Sequence, residues 1–98
     1  MRFSVVVPLY NKENCIRMTL ESVKKQSFKD YEVIVVDDGS TDRSLEEARK
    51  IKSENITIIH QQNQGVSVAR NTGILHAQGQ YIAFLDADDE WEPDYLKT

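Results

Sequence analysis

The chain has 98 residues, 40% of them hydrophobic, which suffices for one globular unit with a modest core and is too little for two. Its 16 acidic and 12 basic residues give a net charge of −4 with no basic stripe able to neutralise a phosphate backbone, so nucleic acid is excluded as an expected partner. No apolar run approaches a membrane span and no signal peptide precedes the first strand, which reads as a cytoplasmic chain, while the single Cys15 leaves no internal disulfide and no thiol metal cluster.

In chain order, Phe3 to Leu9 is a valine-rich run that suits a strand covered on both faces, with Pro8 expected to mark its end because it lacks a ladder donor. Lys12 to Lys25 sets Ile16, Leu20 and Val23 on one helical face, with Asn11 as its N-cap. Tyr31 to Val36 is a second buried strand that stops at Asp37 and Asp38, in a turn where Gly39 supplies backbone freedom and Ser40 or Thr41 caps the next helix. That helix runs to about Lys52 with Leu45, Ala48 and Ile51 toward the sheet, and Ile56 to Ile59 is a short third strand. After Gly65, residues Val66, Ala69 and Gly73 form the close-packed side of a third helix, Gly79 ends that segment, and Tyr81 to Leu85 is a fourth strand. Pro93 suits the first turn of a further helix.

Alternating strands and helices predict an α/β fold: a Rossmann-like, doubly wound, mostly parallel four-stranded sheet flanked by helices. Ligands of such sheets lie outside the carboxyl ends of the strands. Those ends carry Tyr10 and Asn11, then Asp37 and Asp38, then Asp86, Asp88 and Asp89.

Three aspartates close together repel one another unless a cation joins them, and a divalent metal can bridge a carboxylate to diphosphate oxygens. Asp86 and Asp88 are therefore candidate ligands for Mn²⁺ or Mg²⁺, although acidic residues also occur in ordinary solvated loops. Asp38 can accept a ring N–H from a uracil-like base or, as can Asp37, the amides of its own turn. Neither a Gly-x-Gly-x-x-Gly loop nor a phosphate loop ending in Lys-Ser or Lys-Thr is present, which removes the simplest support for redox dinucleotides or ATP hydrolysis. His60 and His76 read as isolated polar residues, Cys15 and Trp91 as packing residues.

Four strings together resemble the inverting glycosyltransferases of family 2: Phe3 to Asn11, Val35 to Asp42, Asn63 to Asn71 and Phe84 to Asp89, spanning nearly the whole chain. The resemblance implies the N-terminal half of a GT-A type fold that binds a nucleoside diphosphate sugar with Mn²⁺ or Mg²⁺. It places the backbone around Pro8 and the ring of Tyr10 against the base, Asp38 as acceptor from it, and Arg70 near base and diphosphate. Asp86 would approach the ribose or the metal shell, and Asp88 would be the more direct metal ligand. The family's catalytic carboxylate and most acceptor-contacting elements lie later in the domain, so residues 1–98 are expected to form a partial domain, inactive alone, with its general base beyond Thr98.

The implied parent transfers a sugar, UDP-linked by preference, to a glycan, lipid or protein hydroxyl, and is compatible with attachment at the cytoplasmic face of a membrane. A noncatalytic nucleotide-sensing or interaction module on the same fold is the alternative. An uncovered sheet edge would favour self-association of the chain.

Overall fold

The computed structural model describes residues 2–51 and 53–91. In chain order the elements are β1 (Phe3–Leu9), α1 (Ile16–Lys24), β2 (Tyr31–Asp38), α2 (Ser44–Arg49), β3 (Ile56–Gln61), α3 (Val66–His76) and β4 (Tyr81–Phe84). The helix expected from Pro93 lies outside the described residues.

All four strands are parallel, in the order β3-β2-β1-β4. The chain steps from β1 to β2 to β3 in one direction, so right-handed crossovers place α1 and α2 on one face. It then returns past β1 to β4, which puts α3 on the other face. The larger core joins Val5, Val7, Leu9, Val33 and Val35 to Ile16, Leu20, Val23 and Ala48; the smaller joins Ile34 and Val36 to Ala69. Each valine, leucine or isoleucine among them, fully buried, contributes about 1.5–3 kcal/mol relative to exposure. Gly73 brings α3 close to the sheet, because a Cβ at that position would lie 2.3 Å from Val6 Cγ1.

Several boundaries differ from the sequence expectation for local reasons. Pro8 sits inside β1 rather than ending it. Arg2 and Val6 turn their carbonyls toward β4, accepting from Tyr81 and Leu85, so Pro8, on the same alternation, turns its missing donor to that side beyond the last β4 pair. Helix α1 begins at Ile16, and Asn11 does not cap it; Asn11 adopts a left-handed φ of 50°. Strand β2 runs through Asp37 and Asp38, which pair with His60 and Gln61 of a correspondingly longer β3. Helix α2 is confined to six residues, with Ala48 buried and Leu45 half-buried; Ile51, also buried, lies past its end. Val66 is 52% exposed and leaves the close-packed side of α3 to Ala69 and Gly73.

Among the described residues β4 is an edge strand, with Tyr81, Ile82 and Phe84 exposed. By register, Ile82 and Phe84 share the α3 face with Ser4 and Val6, and that face is open at the β4 margin.

Candidate functional site

The direction of strand progression reverses between β1 and β4, and the carboxyl ends of these strands and of β2 define one edge. Hydrogen bonds tie its first two loops together. The Asn11 N–H donates to Ser40 Oγ at 3.0 Å, the Thr41 N–H to Asn11 Oδ1 at 2.8 Å, and the Lys12 N–H to the buried Ser44 Oγ at 2.7 Å. Ser40 and Thr41 are thus committed to Asn11, and neither caps α2; the N-cap position is Arg43, without a side-chain cap bond, and Asp42 just before it accepts from the Ser44 N–H on Oδ1 at 2.9 Å. Burial pushes the Asp42 carboxyl up, but the hydroxyl and N–H of Ser44 and the Glu13 N–H outweigh it and hold the group below the ordinary carboxylate range.

The two aspartates ending β2 point to opposite faces because strand side chains alternate. Asp38 faces α3 and is 3% exposed. Its Oδ1 accepts from Gln61 Nε2 and the Gln64 N–H, both at 2.9 Å; its Oδ2 accepts from the Gly65 N–H at 2.9 Å and, more weakly, from Asn63 Nδ2 at 3.4 Å. Burial would raise this carboxyl's pKa; the Gln61 amide and the two backbone N–H groups lower it further than burial raises it. A carboxylate at the N-terminus of α3 also suits the helix dipole. Asp37 faces the α1 and α2 side, fully buried, with Oδ2 2.8 Å from His60 Nδ1. The turn role considered for Asp37 is therefore replaced by a cross-strand pair, and His60 is not isolated. Asp37 Oδ1 has no partner among the described residues.

A cleft of about 260 Å³ opens where β1 and β2 end, lined by Pro8, Leu9, Tyr10, Asp38, Asn63, Gly65, Val66 and Ala69. Tyr10 is 46% exposed at its rim, and the exposed Val66 adds to the lining. Gly39 lets the two wall segments meet: its φ is 70°, and a Cβ there would lie 2.6 Å from Asn63 N. A wall that is mostly apolar with one carboxylate is suited to a flat heterocycle with a polar edge.

Past β4, Leu85 and Ala87 are buried in the larger core while Asp86 and Asp88 are exposed. Ligand oxygens of Asp86, Asp88 and Asp89 all lie within 4.8 Å of one another. This hard, all-oxygen donor set fits Mg²⁺ or Mn²⁺. Two cations stand beside it: Lys12 Nζ is 3.8 Å from Asp88 Oδ2, and Arg70 Nη2 is 3.7 Å from Asp86 Oδ1. Arg70 also lies over the Phe84 ring, 5.8 Å from its centroid, and its Nε is buried without a partner among the described residues. It lines a second hollow, of about 440 Å³, with Phe84, Asp86, Asp89 and Trp91, and is not among the residues lining the first cleft. Trp91 packs against the larger core, as expected.

Sequence reading alone missed Thr19. Its hydroxyl, fully buried on α1, lies 2.9 Å from the Ala87 carbonyl and 2.7 Å from that of Asp89, sharing one hydrogen between the groups that bracket Asp88. Ser22 Oγ accepts from the Trp91 N–H at 3.2 Å, a second tether on the same loop. The available signal was a threonine on the stripe of Ile16, Leu20 and Val23, an apolar face on which a hydroxyl needs a partner. Ser44 was missed likewise.

A doubly wound α/β unit with a base-sized cleft and an oxygen cluster at its strand ends defines a nucleotide-binding fold of the GT-A type. The chain belongs to glycosyl transferase family 2, whose pattern matches residues 4–98. It is 43% identical over 99 residues to glycosyltransferase GlyA of Streptococcus pneumoniae, covering 99% of this chain and 14% of GlyA. It is 42% identical over 97 residues to the putative teichuronic acid biosynthesis glycosyltransferase TuaG of Bacillus subtilis, covering 96% of this chain and 38% of TuaG. Among solved structures, S. aureus TarS 1–349 in complex with UDP-GlcNAc matches with a TM-score of 0.94 and 38% identity, over 99% of this chain and 29% of that one. The mannosyltransferase PcManGT of Pyrobaculum calidifontis, in complex with GDP-Man and Mn²⁺, matches with a TM-score of 0.91 and 31% identity, over 97% and 30%. The chain thus spans well under half the length of these relatives. Among the described residues, no helix is long and apolar enough to cross a membrane.

Proposed function

We propose that this chain is the donor-binding part of a cytoplasmic glycosyltransferase. The whole protein transfers a sugar from a nucleoside diphosphate sugar, uridine-linked, to a hydroxyl of a glycan, lipid or protein, with inversion. The observation that carries this reading is the placement, on one strand edge, of an apolar cleft ending in Asp38 beside a cluster of three aspartates. Complexes of similar proteins with UDP-GlcNAc and with GDP-Man and Mn²⁺ support the ligand class.

In this reading Pro8 and Tyr10 hold the base, and Asp38 accepts a ring N–H at Oδ2, where the long Asn63 contact leaves acceptor capacity. Arg70, standing by Asp86, serves the diphosphate rather than the base. Asp86 and Asp88 hold Mn²⁺ or Mg²⁺, which, when bound, stabilises the charge developing on the departing nucleoside diphosphate. None of these carboxylates suits the general base: the donors of Asp38 hold it below its ordinary value against the effect of burial, and metal ligands would have their lone pairs committed. That base is assigned to residues outside this chain, which binds donor and does not transfer sugar by itself.

Calorimetric titration of the folded chain with UDP, with and without Mn²⁺, tests the proposal. Saturable, Mn²⁺-dependent binding that disappears in Asp88→Ala is expected. Absence of UDP binding to the well-folded chain in the presence of Mn²⁺ refutes uridine recognition by this unit, and a parallel GDP titration shows whether another base is read instead.

A further inference from the structure

We infer that Lys12 is a phosphate-contacting residue, whose ammonium group passes from Asp88 to the donor diphosphate. The inference rests on the donor-binding reading above. Lys12 Nζ stands 3.8 Å from Asp88 Oδ2, between side chains that are 45% and 50% exposed. An ion pair so open to solvent is weak, and giving it up costs little.

The two loops that carry the pair are, by contrast, firmly held. The Lys12 N–H is bonded to buried Ser44 and the following Glu13 N–H to Asp42. Asp88 lies between the two carbonyls gathered by buried Thr19. The separation of lysine and carboxylate is therefore set by backbone anchors on α1 and α2, and a flexible four-carbon stem is left free to re-aim the ammonium group. A diphosphate held at the cluster of Asp86, Asp88 and Asp89 would come within reach of Nζ, which already stands beside Asp88.

Charge gives the lysine its purpose. A divalent cation and Arg70 offset the three carboxylates of the cluster, and Lys12 adds one further positive charge beside Asp88, where a diphosphate would approach. The bound partner is a diphosphate that gains negative charge as the sugar departs, which is where a charge-assisted hydrogen bond is strongest. For the bare metal the same lysine is a like charge beside the ligand, and opposes binding.

These two effects have opposite signs, which separates a phosphate contact from a structural one. Lys12→Gln, Lys12→Arg and a remote control of equal charge change, Lys29→Gln, are titrated with Mn²⁺ alone, with uridine, and with UDP in the presence of Mn²⁺. In Lys12→Gln, UDP is expected to bind about tenfold more weakly, uridine unchanged, and Mn²⁺ alone no more weakly than in the unmodified chain. Lys12→Arg should restore most of the UDP affinity and Lys29→Gln should lose none. Unchanged UDP affinity in Lys12→Gln, a parallel loss of uridine, or weakened Mn²⁺ binding overturns the assignment while leaving donor binding intact. If the unmodified chain binds none of uridine, UDP and GDP, the donor reading itself fails and this inference with it.

Discussion

Replacing Asp38 with asparagine tests the coupling between donor cleft and fold. The carboxylate satisfies Gln61 and Gln64 on Oδ1 and Gly65 and Asn63 on Oδ2, whereas an amide offers only one acceptor oxygen. The better orientation keeps that oxygen toward Gln61 and Gln64 and turns an NH₂ toward the Gly65 N–H. Rotating the Gln61 amide instead would break its acceptance from Thr72 Oγ1 at 2.7 Å. The bond from Gly65 and the weaker one from Asn63 are lost and the two on the remaining oxygen weaken to neutral ones, a cost of about 3 kcal/mol. Against a total of about 5–15 kcal/mol for a domain of this kind the variant remains folded, with its midpoint lowered by about 12–24 °C.

Urea denaturation followed by circular dichroism measures the cost, and a loss below about 1 kcal/mol would refute this account of the Asp38 cage. Acid adds an independent check. The folded Asp38 carboxyl lies below its ordinary value of 3.8, so its contribution is complete above that pH and vanishes as the pH falls through the folded value. Asparagine does not titrate, and the stability gap between the two proteins should narrow as the pH is lowered from 5 to below about 3.

Thr19→Val removes the shared hydrogen bond at constant volume and should weaken Mn²⁺ binding about tenfold, measured by electron paramagnetic resonance, with uridine affinity unchanged and Thr19→Ser restoring the metal; an equal metal affinity in the folded valine variant would reduce Thr19 to a stability role. The edge strand β4, with Tyr81, Ile82 and Phe84 exposed, should drive reversible self-association. Sedimentation should then show a weight-average mass that rises with concentration and falls in Phe84→Lys, whereas a concentration-independent monomer would count against it.

Much of the architecture is written in local pattern. Valine runs mark β1 and β2, and the spacing of Ile16, Leu20 and Val23 gives the buried stripe of α1, because burial on both faces of a strand and on one face of a helix demands those periods. The placing of Tyr10, Asp38, Asp86 and Asp88 at strand ends follows from the same reading, as does family membership from the four strings. What adjacent Asp37 and Asp38 do is not a local matter. Strand alternation sends one to His60 under α2 and the other to the start of α3, and this required β2 to extend through both. Likewise, Thr19 meets Ala87 and Asp89, and Lys12 meets Ser44 and Asp88, across tens of residues of sequence. Composition and period determine which surfaces must be buried; which polar groups then share an edge is decided by the order in which the crossovers lay the strands side by side.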